Sequence, residues 1–120
     1  MLFEEVVKKA VEETQGAVAA LLMGTDGISL SHYVKPEAGL EMEVVGVEYA
    51  SLLGEVRKVC EILESGDVRE VTVSSDRYVV IVRAITPEYF MALALNPNGN
   101  IGKGRFLLRV NGPEIRKELQ

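Results

Sequence analysis

The stretch YFMALALNPNGNIGKGRFLLR, Tyr89 to Arg109, decides how the rest of the chain is read. Its first seven residues, Tyr89 to Leu95, are apolar at both alternating sets of positions, the pattern of a central strand covered on both faces. Asn96-Pro97-Asn98-Gly99 ends that strand. Proline fixes φ, the asparagine side chains bond nearby backbone, and the glycine is free to take positive φ. Asn100 then stands at a cap position, ahead of a helix that carries Phe106, Leu107 and Val110 back over the sheet. This helix is expected to break or kink at Asn111-Gly112-Pro113, because proline removes a donor and crowds the preceding turn.

Working outward, Leu2, Phe3, Val6, Val7, Ala10 and Val11 recur at helical spacing and predict a first helix that lies on the sheet and stops at Gly16. Ala17 to Met23 is an apolar strand. Gly24-Thr25-Asp26-Gly27 supplies a tight hairpin, and Ile28 to Val34 returns with the alternation of an edge strand. Lys35 to Leu40, with Pro36 and Gly39, reads as a loop. Glu41 to Glu64 is the longest helix, with an apolar seam of Val45, Tyr49, Leu52, Val56, Val59 and Leu63 that is expected to cover the sheet. Beside it runs a row of small residues, Gly46, Ala50 and Gly54. Each glycine costs a helix about 1 kcal/mol relative to alanine, so close approach of another backbone is the expected compensation. The row suggests a partner, the alternative being that both rows pack within one chain. Val68 to Ser74 alternates as a second edge strand, and Tyr78 to Ile85 is an almost wholly apolar strand leading back to Tyr89. The expected architecture is therefore α/β: residues 1–120 as a single domain, a five-stranded antiparallel sheet with helices on both faces, in the order αββαβββα.

Charge and composition narrow the function. The 120 residues carry a net charge of -5, with 48% hydrophobic and 26% charged residues. A sequence pI of about 4.9 opposes general nucleic-acid binding, which needs excess Lys and Arg to displace counterions from phosphate. The imbalance is local. Residues 1–64 hold 12 acidic against 5 basic side chains, whereas residues 65–120 hold 6 against 8. The single cysteine, Cys60, forbids an internal disulfide and reads as a buried thiol in a helical pattern. The acidic start Met1-Leu2-Phe3-Glu4-Glu5 is unlike a signal peptide, and no segment reaches the 18 or so apolar residues of a membrane span. A cytoplasmic protein without direct membrane insertion is expected.

No catalytic constellation emerges. Asn100-Ile101-Gly102-Lys103-Gly104 has half the spacing of a phosphate-binding loop, but Pro97 replaces its first glycine and Gly104 stands where the Ser or Thr that holds magnesium belongs. His32 is the only histidine, on an edge strand beside Leu30 and Val34, so neither a histidine metal cluster nor a Ser-His-Asp arrangement forms around a motif. Glu41, Glu43 and Glu48 suit the start of a helix dipole rather than paired acid–base work. Arg57 and Arg77 are the exposed arginines that could act in trans on phosphoryl-transfer charge; Arg83, Arg105 and Arg109 serve the fold or its rim. The chain is read as a binding or regulatory protein with no active site of its own and no cofactor.

The hairpin Ala19-Ala20-Leu21-Leu22-Met23-Gly24-Thr25-Asp26-Gly27-Ile28, the helix segment Ala50-Ser51-Leu52-Leu53, and the pattern Asn100-x-Gly102-x-x-Arg105-x-x-Leu108 together resemble the roadblock/dynein light-chain family, over nearly the whole chain. The resemblance implies a small α/β domain that dimerises through the long helix and the third strand, with itself or with a related roadblock chain. Members bind Ras-like small GTPases as activators, exchange platforms or scaffolds, and the bacterial MglB-type members act without inserting an arginine finger. On that basis Gly46, Ala50, Leu53, Gly54, Arg57, Val71 and Val73 are the expected dimer or partner interface. The expected function is a non-catalytic dimeric regulator of a Ras-like GTPase. The alternatives are a scaffold subunit of a motor or membrane-associated complex, and a small-ligand sensor. Ala50→Arg is then expected to disrupt assembly or GTPase binding while leaving the monomer folded.

Overall fold

The computed structural model describes residues 2–120. Alternating apolar strands and amphipathic helices condense into α1 (Leu2–Glu12), β1 (Ala17–Gly24), β2 (Ser29–Val34), a 3₁₀ turn (Pro36–Ala38), α2 (Met42–Ile62), β3 (Glu70–Ser74), β4 (Val79–Ala84), β5 (Tyr89–Leu95) and α3 (Ile101–Leu119). The five strands make one antiparallel sheet in the order β2-β1-β5-β4-β3. The doubly apolar β5 is central, and the alternating β2 and β3 are the edges, because only a strand flanked on both sides and covered on both faces needs apolar residues at every position.

The strand period of two divides the core. Ala20, Leu22, Ile81, Met91 and Leu93 point to one face and meet Val7 and Val11 of α1 with Leu108 and Ile115 of α3. Leu21, Met23, Val80, Val82 and Phe90 point to the other and meet Met42, Ala50 and Leu53 of α2. Two helices thus cover one face and the long helix the other.

Turn chemistry holds the joints. Gly27 takes φ +88° after Asp26, whose Oδ1 accepts from the Ile28 amide at 3.0 Å. Asn100 caps α3, its Oδ1 accepting from the Lys103 amide at 3.0 Å. Gly99 does not use positive φ. It is needed because a Cβ there would stand 2.8 Å from the Gln15 carbonyl oxygen, where the α1–β1 and β5–α3 connections cross. The Asn96 and Asn100 amides donate to the carbonyls of Gly16 and Gln15, both at 2.8 Å, and bind those connections together.

α3 runs unbroken through Pro113, contrary to the break expected there. The proline deprives one carbonyl, four residues back at Arg109, of its donor. Arg109 and Pro113 are both exposed, so the proline lies on the solvent side of α3 while Gly112 and Ile115 turn inward. Gly104 makes the opposite accommodation at the start of the helix. A Cβ there would lie 2.9 Å from Leu93, so glycine lets α3 close on the sheet.

Candidate interaction surface

The long helix rests on the sheet through Met42, Gly46, Ala50 and Leu53, spaced four, four and three. The sequence pattern points to Val45, Tyr49, Leu52, Val56, Val59 and Leu63 as the sheet-facing seam, with the small residues toward a partner or packed within the same chain. The helix is turned from that arrangement by about 100°, one residue's worth of rotation. The cause lies beneath it: Leu21 and Met23 rise from β1, and a Cβ at Gly46 would run into both. Small residues are spent on bringing α2 down over bulky strand side chains.

The consequence is a helix flank richer in exposed apolar surface than the monomer needs. Val45, Tyr49 and Val56 are half-buried, while Val59 is 54% and Leu63 68% exposed. Partial burial pushes the Tyr49 phenol above its usual pKa. Val71 and Val73 of β3 lie on the same side of the sheet, opposite Val82 and Val80 of β4, and are half-buried. The other side of β3 is clamped to α3. Arg105 Nε donates to Glu70 Oε2 at 2.9 Å and Nη2 donates to Thr72 Oγ1 at 3.0 Å. Among the described residues the outer edge of β3 has no strand partner. An unpaired edge beside an apolar helix flank is a surface suited to a second protein chain.

The seven residues expected at the interface fall into three groups. Gly46, Ala50 and Leu53 are buried against the sheet of their own chain. Gly54 is exposed, with open space where its Cβ would be, and Val71 and Val73 sit on the accessible edge strand. Arg57 is half-buried and fastens α2 to the β4–β5 hairpin, donating from Nη1 to the Pro87 carbonyl at 2.9 Å and from Nη2 to Thr86 at 3.5 Å. Ala50, only 8% exposed, has no room for arginine, so Ala50→Arg would damage the monomer itself. Sequence reasoning missed Val59 and Leu63 as exposed positions. The signal available was the pair of large residues Leu21 and Met23 on the strand face beneath the helix, which call for small partners above.

Among the other candidate groups, Cys60 borders this surface, lining a groove with Val56 and Glu70, and His32 lies at the opposite edge of the sheet. His32 Nδ1 lies 3.8 Å from Glu43 Oε1, both largely exposed, at the β2 edge. Cys60 is half-buried rather than enclosed. Among the described residues no group of three or more His, Cys, Asp or Glu side chains is positioned to hold a metal ion. No described helix is long and apolar enough to cross a membrane.

A five-stranded antiparallel sheet with one long helix on one face and two helices on the other, in this order, defines a class that comparison with known proteins makes specific. The Roadblock/LC7 domain model matches residues 3–95. MglC from Myxococcus xanthus is 42% identical, with 98% of this chain and 99% of that chain covered and a TM-score of 0.70. A Roadblock/LC7 domain from Streptomyces avermitilis, at 17% identity, covers 97% and 96% with a TM-score of 0.86. Myxococcus xanthus MglB, at 8% identity, covers 99% and 95% with a TM-score of 0.88, a likeness of fold. No curated protein matches the sequence. The chain belongs to the Roadblock/LC7 domain family.

Proposed function

We propose that this protein is a non-catalytic, dimeric regulator of a Ras-like small GTPase. The observation that carries the reading is the apolar flank of α2, where Val59 and Leu63 are open to solvent and Val56 lines one groove with the segment entering the unpaired edge strand β3, on a roadblock domain 42% identical to MglC. Two copies, or this chain and a related roadblock chain, bury that flank together and extend the sheet from β3. Val71 and Val73 belong to this interface, and Arg57, Leu53, Ala50 and Gly46 support it from beneath by fixing the position of α2. Gly54, nine residues before Leu63 and so half a turn around the helix from it, faces away from that flank. A regulator of this kind works by binding one switch arrangement of the GTPase more tightly than another, which shifts its population without any catalytic group being donated.

Light scattering of the purified protein tests this, alone and mixed with a Ras-like GTPase of the same organism loaded with GDP or a non-hydrolysable GTP analogue. The expected result is a dimer that takes up the GTPase in a nucleotide-dependent way. A monomer would remove the interface, and a dimer that ignores the GTPase in both states would leave a scaffold subunit as the function.

A further inference from the structure

At the end of the sheet, between the C-termini of α2 and α3, lies an open cleft of about 1020 Å³ formed around the β4–β5 hairpin and the segment that enters β3. Four of the seven arginines of this acidic chain line it: Arg57, Arg69, Arg83 and Arg116. Among the described residues none of the four has a carboxylate partner within ion-pairing distance. Two are held in place by neutral acceptors. Arg57 bonds the carbonyls of Pro87 and Thr86, and Arg116 Nε donates to the Ile85 carbonyl at 3.0 Å. Each guanidinium has five N–H donors, so both keep donors to spare after these bonds. Arg83 is half-buried, and its neighbour across the ladder, Glu70, is already engaged by Arg105.

From this geometry we infer that the cleft is a docking site for an acidic, extended segment of a partner protein, its carboxylates pairing with the four guanidiniums. A carboxylate fits the planar fork of arginine bidentately, and Arg57 and Arg116, held by backbone carbonyls with donors to spare, offer that fit with little reorganisation. A compact phosphate suits the place less well. Phosphate sites draw on helix N-termini and their amides; α2 and α3 bring carbonyl ends to this cleft, so any anion here is held by the guanidiniums alone, one fork to each carboxylate. The lining also carries Glu61, Glu64, Asp67 and Glu88, all exposed, which repel a concentrated dianion. A polypeptide spaces its charges along its length. It can set carboxylates on the arginines and its own amides or cations toward the hairpin carbonyls and the outer acids. The volume and openness admit several residues of chain rather than enclosing a small molecule.

The test is fluorescence anisotropy of the intact protein with a labelled glutamate-rich peptide, its glutamine-for-glutamate counterpart, and unlabelled inorganic pyrophosphate as competitor. The glutamate peptide should bind and the glutamine peptide should not. The double variant Arg69→Gln/Arg83→Gln, which touches no side-chain bond of the fold, should weaken binding by about tenfold or more while its melting curve stays that of the parent. If the double variant unfolds, Arg69→Gln alone, at an exposed position, should still weaken binding severalfold. Absence of binding at low salt, or equal binding by parent and variants, overturns the inference. Tight binding of pyrophosphate with none of the peptide overturns it in favour of a phosphate site.

Discussion

The backbone of Gly46 lies directly over the side chain of Met23, so close that a Cβ added there would stand 2.7 Å from Met23 Cε. This contact sets the height and the rotation of the long helix, and through them which of its residues face the sheet. Eight residues further along, Gly54 has nothing within 4 Å of the same point. The two glycines of one apparent row therefore have opposite consequences. Gly46→Ala is expected to destabilise by about 1–3 kcal/mol, overpacking against Met23 and Leu21 outweighing the gain in helix propensity. Gly54→Ala, free of any contact, is expected to stabilise the monomer by about 0.5–1 kcal/mol. Urea unfolding of both variants checks the pair. A neutral or stabilising Gly46→Ala would show that α2 has slack above β1.

How much of this was legible beforehand follows from the kind of signal involved. The sheet was readable because Tyr89–Leu95 and the alternating edges carry their environment in local composition, and a strand's period of two is unforgiving. The rotation of α2 was not, because its two candidate faces, Val45-Tyr49-Leu52 and Met42-Gly46-Ala50, differ by one residue, and the choice is made by Leu21 and Met23 far away in the chain. The continuity of α3 escaped for a related reason. Pro113 costs a helix most where its lost bond is buried, and burial of Arg109 is a property of the fold, not of the tripeptide. The arginines of the cleft are scattered over positions 57 to 116 and share one lining only because α2 and α3, on opposite faces of the sheet, both end beside the β4–β5 hairpin.

The cap of α3 carries a definite share of stability. Asn100 satisfies the Lys103 amide, one of the donors a helix start leaves orphaned. Asn100→Ala should cost about 1 kcal/mol, visible as a lower melting temperature, whereas Asn100→Asp should retain the cap. Equal loss in both variants would assign the effect to the surrounding loop instead of the side-chain bond.

Tyr49 gives the half-buried flank of α2 a pH signature. Its phenol titrates above the ordinary tyrosine value because burial disfavours the phenolate. With the folded pKa raised, the contribution to stability is fully present below the unfolded value and is lost as pH rises through the folded pKa. The parent should therefore lose stability in alkali more steeply than Tyr49→Phe, which has no proton to release there. Parallel denaturant titrations from neutral pH upward make the comparison, and superimposable pH profiles would mean that Tyr49 is solvated in solution.

The interface reading stands or falls on positions that the monomer does not need. Val59 is 54% exposed and on the flank of α2 nearest in character to a dimer seam, so Val59→Glu leaves the monomer within about 0.5 kcal/mol of the parent. In a dimer the same carboxylate is buried in an apolar contact, where a charge without a partner costs several kcal/mol. Light scattering should then show the mass falling from dimer to monomer at micromolar protein while the circular dichroism melt of the monomeric unit is retained. Ala50→Arg provides the contrast, since it should lose the monomer fold and the dimer together. A Val59→Glu protein that keeps the dimer mass would move the contact away from this flank, leaving the β3 edge at Val71 and Val73 as the surface to alter next.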